Sequence, residues 1–355
     1  MRIAVDATPL ILTSGGLPRY VSELSLALAR EFPEDTYVLL SDQGFALPAA
    51  APPNLLKPAV SGGNRGLSGK WWLHGVRIAL RETGAQLFHG TNFEVPYLGR
   101  TPAILTIHDL SPWRNPEWHR GPSRVRSRTP WLIRLRRARL ILTVSQAVRS
   151  EIIAHFGVPP DRVRAVPLAA SPLFVPAPPS AAPHRPFFLY VGTLEPRKNI
   201  PALIEAWRAT RHETGADLLL AGRLRPDFVP PPPEPGLSFL GELPDCDLPP
   251  LYSRALAFTY PTHYEGFGLP VLEAMQCGCP VLTSRDPAVT EVSGNAALQA
   301  SSVAEMAAAL RNLAAKPELR AELRAAGLAR AASFSWARTA RETRALYAEL
   351  VGVGV

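Results

Sequence analysis

The chain has 355 residues, 46 % of them apolar, with a mean hydropathy near zero. That length suits two ordinary domains with full cores, and no run of about 18 apolar residues offers a spanning helix. The net charge of +8 is uneven: residues 1–170 hold 21 Lys and Arg against 12 Asp and Glu, and the remainder holds 17 against 18. No recognition motif accompanies the basic half, so a nucleic-acid partner is not expected. The first ten residues, MRIAVDATPL, enter a strand pattern directly, with no charged and then apolar leader, which argues against export and for a cytoplasmic protein. Cys246, Cys277 and Cys279 cannot all pair and lack zinc spacing; they read as reduced thiols, with Cys277-x-Cys279 leaving a redox role open.

In chain order, the first half predicts strands at Ile3–Ala7, Tyr37–Ser41, Gln86–His89, Ala103–Ile107, Leu140–Val144 and Val163–Val166. Helical patterns fall between them at Arg19–Phe32, Trp71–Thr83, Val125–Arg137 and Gln146–Phe156. Pro172–Pro186 is too proline-rich for either element and reads as a stiff linker. The second half predicts strands at Phe187–Val191, Asp217–Ala221, Leu237–Leu240, Ala257–Tyr260 and Pro280–Thr283. Its helices are expected at Ile200–Thr214, Leu248–Arg254, Leu269–Cys277 and Val303–Ala315, then at Glu318–Ala332 and Trp336–Val351 with Ser335 as N-cap. Strands alternating with helices imply parallel sheets covered on both faces. The expected fold class is therefore α/β, two doubly wound Rossmann-like domains (1–171 and 187–335) facing across a cleft at the carboxyl ends of their sheets, where ligands bind.

Several loops follow predicted strands. In Thr13–Tyr20 (TSGGLPRY), Gly15 and Gly16 allow the backbone to approach a ligand, or simply make a tight β–α turn. In Thr106–Ser111 (TIHDLS), His108 and Asp109 suit a hydrogen bond to a substrate oxygen or a proton transfer; a structural His and a helix-capping Asp fit as well. His89 and Asn92 of HGTN end the preceding strand and are candidates to line the same region, with a structural role favoured. Gly192–Asn199 (GTLEPRKN) sets Arg197 and Lys198 side by side before a helix. Cations there oppose the helix dipole unless an anion lies between, which favours a diphosphate site.

The stretch Tyr264–Ser284, YEGFGLPVLEAMQCGCPVLTS, is the richest. Glu265 and Glu273 bracket a helix start whose Gly266, Phe267 and Gly268 amides suit an anion. A capped helix followed by a strand would explain Glu265 but not the two glycines. There is no Walker loop, no H-E-x-x-H, and the D-x-D spacing of Asp245 and Asp247 lies in a proline-flanked stretch, so no metal is expected. Arg197, Lys198 and the helix dipole are left to neutralise a leaving diphosphate.

SGGLPRY, HGTNFEVP, TIHDLS, TVSQAVRSEI, YVGTLEPRKNI, YEGFGLPVLEAMQCGCPV and the FSW of 334–336 together resemble the family-four retaining glycosyltransferases of GT-B fold, in particular the bacterial mannosyltransferase-like branch. The resemblance runs nearly end to end. It implies that Glu273 holds the ribose of a nucleotide sugar, that Glu265 faces the transferred sugar, and that Gly266, Phe267, Gly268 and Leu269 line sugar and diphosphate. Arg197 and Lys198 would bind the diphosphate, with Gly192 and Thr193 in the same donor loop and Gly15 and Gly16 approaching from the first domain. His108 would stand at the reaction centre, Glu291 near base or ribose, and a helix at about 336–355 would return to the first domain. Pro18, Ala169–Ser171 and Asn295 depart from the family pattern.

The implied reaction moves a hexose, mannose or similar, from a nucleoside diphosphate sugar to a hydroxyl of a glycan, a lipid-linked or a small-molecule acceptor, with retention and no cofactor. A nucleotide-sugar epimerase of the same architecture and a non-catalytic nucleotide- or glycan-binding protein are the alternatives. Residues 114–139 carry nine arginines beside Trp118, Trp131, Leu132 and Ile133, which suits either contact with anionic membrane or a solvated helix face in an arginine-rich chain.

Overall fold

A computed structural model describes residues 1–12, 15–59, 70–118, 124–178 and 185–352. Thr13 and Ser14 of the glycine loop, 119–123 of the arginine-rich segment and 179–184 of the proline-rich segment lie outside the described residues. The chain divides into two compact units, Met1–Leu168 with Ser335–Val355, and Ala169–Phe334.

Unit one is built on a parallel sheet of β1 (Arg2–Asp6), β2 (Thr36–Leu40), β3 (Leu55–Leu56), β4 (Leu87–Gly90), β5 (Ala103–Ile107), β6 (Leu140–Thr143) and β7 (Val163–Ala165), in the order 3-2-1-4-5-6-7. Its central strands are buried on both faces, which is why they read as unbroken apolar runs. Helices α1 (Gly16–Glu31), α2 (Val76–Thr83), α3 (Ser111–Arg114), α4 (Arg124–Arg134) and α5 (Gln146–Phe156) connect them.

Unit two carries β8 (Phe187–Val191), β9 (Asp217–Ala221), β10 (Leu237–Gly241), β11 (Ala257–Tyr260), β12 (Val281–Thr283) and β13 (Leu298–Gln299) in the order 10-9-8-11-12-13, all parallel. Its helices are α6 (Ile200–Arg208), α7 (Arg211–Thr214), α8 (Leu248–Arg254), α9 (Leu269–Gln276), α10 (Pro287–Ser293), α11 (Val303–Ala315) and α12 (Pro317–Ala331).

The last helix, α13 (Trp336–Val351), belongs to unit one and packs along α1. Its buried residues Trp336, Thr339, Ala340, Thr343, Leu346 and Tyr347 recur every three to four positions, and Tyr20, Val21, Leu24 and Leu28 form the matching stripe on α1. Each large apolar side chain buried there contributes roughly 1.5–3 kcal/mol. Ser335 caps α13 by accepting from Arg338 N at 3.2 Å, as its position predicts.

The structure departs from the predicted elements in several places, the short helix α3 among them. The helix expected over Ile200–Thr214 breaks into α6 and α7 at Ala209 and Thr210, where Thr210 Oγ1 bonds back to the carbonyls of Ala206 (3.2 Å) and Trp207 (3.0 Å). Trp71–Gly75 opens the second helix as a π turn. β3 and β13 are two residues each, too short to show a period. The unpredicted α10 begins at Pro287, with Asp286 accepting from Ala288 N at 3.1 Å and Val289 N at 3.0 Å.

Candidate active site

In both sheets the strand order reverses beside the first strand, between β1 and β4 and between β8 and β11. The loops leaving those strands hold many of the candidate residues, while His108 and Asp109 follow β5 and Glu273 lies within α9; such reversal points are where doubly wound sheets bind ligands.

In unit two, the loop after β8 closes in a short 3₁₀ turn, Pro196–Lys198, and Asn199 ends it at φ 56°. The loop after β11 comes to meet it: His263 N donates to Arg197 O at 2.8 Å, and Thr262 Oγ1 stands 3.2 Å from the same carbonyl. Arg197 Nη1 donates to Tyr264 O at 3.0 Å and to Glu265 Oε2 at 3.3 Å, and its Nε donates to Glu195 at 2.8 Å. Lys198 Nζ donates to Glu265 Oε1 and, at 2.7 Å, to Tyr260 Oη; Thr262 Oγ1 adds a bond to Glu265 at 3.0 Å.

Lys198 and Glu265 are 6 % and 7 % exposed. Burial pushes the Glu265 carboxyl up, but the charges of Arg197 and Lys198 outweigh it and hold the group at about 2. The conflict between two cations and a helix start, which favoured a bound anion in the sequence, is met in the protein itself by Glu265. Arg225 extends the cluster by donating to Glu195 at 3.0 Å and to Asp227 at 2.6 Å.

Glu265 leads into the start of α9. Gly268, its N-cap, has φ +98°, and no side chain caps the helix. Among the described residues, nothing accepts from the amides of Phe267, Gly268 and Leu269. Those donors and the dipole make an anion nest beside the cation cluster. Asp286 supports it from below by accepting from Glu265 N at 3.4 Å; burial raises its pKa to about 6.

Glu273 lies farther along α9 at 1 % exposure, accepting from Tyr252 Oη at 3.4 Å. Gly192, with φ +146°, opens the loop after β8, and Gly222 packs so closely on it that a Cβ would stand 2.0 Å from Gly192 O. Cys277 and Cys279 are both buried, and burial pushes the Cys277 thiol to about 12 and Cys279 higher still, so neither carries the thiolate a redox role needs.

In unit one, His108 Nε2 donates to Thr91 O at 2.8 Å. Because a carbonyl only accepts, the proton sits on Nε2 and Nδ1 presents its lone pair. Burial lowers the His108 pKa and favours this neutral form. Thr91 Oγ1 in turn donates to Asp6 O at 2.9 Å and Asp6 Oδ2 at 3.2 Å.

His89 does not line a ligand site. It is fully buried, with Nδ1 2.7 Å from Tyr347 Oη and Nε2 2.7 Å from Thr106 Oγ1, and it ties α13 to the sheet. Asp109 accepts from Ser111 N at 2.9 Å and Ser111 Oγ at 2.6 Å, a local turn bond just ahead of α3, whose N-cap is Leu110. Gly15 is the N-cap of α1 at φ 105°, with open space where a side chain would stand; Gly16 is the first residue of that helix.

The sequence missed Glu195, Arg225, Tyr260, Thr262 and Asp286. Only Asp286 carried a usable signal, an Asp-Pro pair after a strand. Among the described residues, no group of three or more His, Cys, Asp or Glu is arranged to hold a metal ion.

An amide nest and paired cations at the reversal point of a doubly wound sheet are the features of an α/β protein with a candidate ligand site at the carboxyl ends of its strands. Comparison with known proteins makes this specific. Residues 14–171 match Glycosyltransferase Family 4 and residues 176–330 match Glycosyl transferases group 1. The chain is 39 % identical over 287 residues to the O-antigen chain mannosyltransferase B of Escherichia coli, covering 75 % of this chain and 74 % of that protein. Sucrose-phosphate synthase from Thermosynechococcus elongatus superposes with a TM-score of 0.74 at 19 % identity, over 99 % of this chain and 100 % of that one. Anabaena Alr3699/HepE, solved with UDP-glucose, gives 0.71 at 16 % identity, over 98 % and 100 %. The chain belongs to glycosyltransferase family four and has the GT-B fold.

Proposed function

We propose that this glycosyltransferase moves a hexose, mannose in the first place, from a nucleoside diphosphate sugar to a hydroxyl of a glycan or lipid-linked acceptor, with retention and without a metal ion. The observation that carries this reading is the nest of Phe267, Gly268 and Leu269 amides next to Arg197, Lys198 and Glu265. A diphosphate at the nest would gain the helix dipole and two cations, and those cations would shift from Glu265 toward the charge that grows on the leaving group. The departing phosphate oxygen is then the base for the acceptor hydroxyl, so no carboxylate base is required. Glu265, held ionised, would face the developing positive charge of the sugar, and Glu273 would hold the ribose. The mannose assignment rests on the similarity to the Escherichia coli mannosyltransferase.

A thermal-shift screen of UDP-, GDP-, ADP- and dTDP-sugars tests the donor, since a ligand at one hundred times its Kd stabilises the native state by about 2.7 kcal/mol. NMR of the product's anomeric proton tests retention, and unchanged turnover in EDTA tests metal independence. No shift with any nucleotide sugar defeats the donor reading.

A peripheral membrane contact through unit one is part of the proposal. Trp131 and Leu135 are 62 % and 60 % exposed, four residues apart, beside exposed Arg134 and Arg136. Other arginines of the segment have structural tasks: Arg114 pairs with Glu151, Arg128 donates to Tyr97 Oη, and Arg137 donates to Gly99 O.

A further inference from the structure

The loops after β8 and β9 carry on the pairing of their strands. Leu194 and Leu224 form a parallel bridge beyond the strand ends, with Leu194 N donating to Arg223 O at 2.9 Å and Arg225 N donating to Leu194 O at 3.1 Å. Just before the bridge, Gly192 N donates to Ala221 O at 2.9 Å. Just after it, Lys198 N donates to Glu195 O at 3.0 Å and closes the 3₁₀ turn. The backbone at Glu195 is therefore set by the sheet.

The Glu195 carboxylate is divided between two arginines. Oε1 accepts from Arg197 Nε at 2.8 Å, and Oε2 accepts from Arg225 Nη1 at 3.0 Å. Arg225 is itself locked, because Asp227 accepts from its Nε at 2.6 Å and also from its Nη2. The side chains of Glu195, Arg197 and Arg225 are 12 %, 19 % and 18 % exposed, so solvent and salt screen these pairs less than surface pairs.

Arg197 meets Glu195, Tyr264 O and Glu265 at 2.8, 3.0 and 3.3 Å, and Glu265 is the most distant of the three. Under the donor reading, Glu265 is the partner that Arg197 gives up when a diphosphate arrives. Glu195 holds a different nitrogen and need not let go. A guanidinium pinned at Nε keeps its plane, and a planar fork grips phosphate oxygens only when its plane is set. By charge alone Glu195 opposes the site, since it places a carboxylate beside a cation meant for phosphate. A holding role accounts for its presence.

We propose that Glu195 is a positioning residue for the transfer reaction: locked by Arg225, it holds Arg197 by Nε so that the guanidinium can turn from Glu265 to the donor diphosphate without losing its place. This rests on the donor reading of the site. Position and charge predict opposite signs. Glu195→Met keeps the side chain's length, removes its acceptors and leaves Arg225 on Asp227. If only charge matters, losing a carboxylate beside an anion site tightens diphosphate binding. The test is calorimetric titration of the full chain with UDP, GDP, ADP and dTDP. Glu195→Met should weaken the tightest-binding diphosphate about tenfold, the size of the ordering cost of one immobilised side chain. Glu195→Asp keeps the charge but draws the carboxylate back by one methylene, and should weaken it by about threefold. It decides the question alone if Glu195→Met loses the parental melting profile. In an Arg197→Met background neither change should weaken binding further, because nothing is left to hold. Unchanged or tighter binding in the Glu195 variants, or equal weakening with and without Arg197, would overturn the positioning role while donor binding persists. No binding of any of the four diphosphates to the parent, or parental binding in Arg197→Met, would overturn the donor reading and this proposal together.

Discussion

Arg197 and Glu265 meet at two points, the Arg197 guanidinium donating to the Glu265 carboxylate at 3.3 Å and to the carbonyl just before it, Tyr264 O, at 3.0 Å. The arginine therefore fixes the backbone that leads into α9 as well as pairing a charge. Lys198 takes the other carboxylate oxygen and is more buried, so the two cations are not equivalent. Replacing Lys198 with Met leaves Glu265 buried with one cation. Stability in urea should fall by about 2 kcal/mol, less than for a fully orphaned buried charge because Arg197 remains. Turnover should fall at least a hundredfold, in line with the loss of one charge-stabilising donor. A Lys198→Met protein with parental stability and rate would show that the pair carries neither load.

The acid dependence of stability separates two groups. His89 is buried between Tyr347 and Thr106, and burial lowers its pKa from 6.5 to about 3. The unfolded chain then takes up a proton that the folded one refuses, so its contribution is whole above pH 6.5 and is lost as pH falls toward 3. Glu265 acts in a lower window: its pKa is depressed from 4.5 to about 2, so its contribution is present above pH 4.5 and is lost between there and pH 2. Asp6 and Asp286, whose carboxyls burial raises to about 6, gain protons in the same range and act alike in every variant, so the test is a difference: from pH 7.5 to 4.5 the urea midpoint of His89→Gln should gain steadily on that of the parent, with Glu265→Gln parallel to the parent. Parallel curves for parent and His89→Gln would refute the assignment.

Gly268 holds the start of α9 at φ +98°. Its Cβ position lies 3.4 Å from Val289, so space is not the obstacle; the backbone conformation is. Gly268→Ala should cost about 1–3 kcal/mol in thermal or urea unfolding and weaken nucleotide-sugar binding by tilting the open amides. Binding that survives while stability drops would separate the nest from the ligand.

The exposed Trp131 and Leu135 are the apolar half of the membrane proposal. Flotation with vesicles containing anionic lipid should carry the parent protein upward at low salt, and Trp131→Ser with Leu135→Ser should abolish it. Equal flotation with neutral vesicles, or none at either ionic strength, would remove the membrane contact.

Much of both sheets was legible because buried parallel strands leave unbroken apolar runs such as FFLYV and AILTI. The cation loop and EGFGLP stood out in the sequence because adjacent cations oppose a helix start and two glycines flanking Phe267 leave backbone amides uncovered. The support around them was not. Tyr260 looks like strand filler in AFTY, yet its hydroxyl holds Lys198 at 2.7 Å. Glu195 and Arg225 are thirty residues apart and meet only when β8 and β9 pair. The gap after Arg208 falls inside an unbroken helical pattern, which no periodicity reports. His89 could have been read either way from its place after a strand; its partner is 258 residues distant.

That long-range bond has a consequence for the order in which the protein forms during synthesis. Unit two is continuous in sequence, whereas unit one draws α13 from beyond it. A ribosome therefore releases everything unit two needs before it releases the helix that covers α1 and satisfies His89. The earlier-made unit is the one that finishes later, and until α13 emerges the nascent chain presents the apolar stripe of Tyr20, Val21, Leu24 and Leu28 to whatever meets it first.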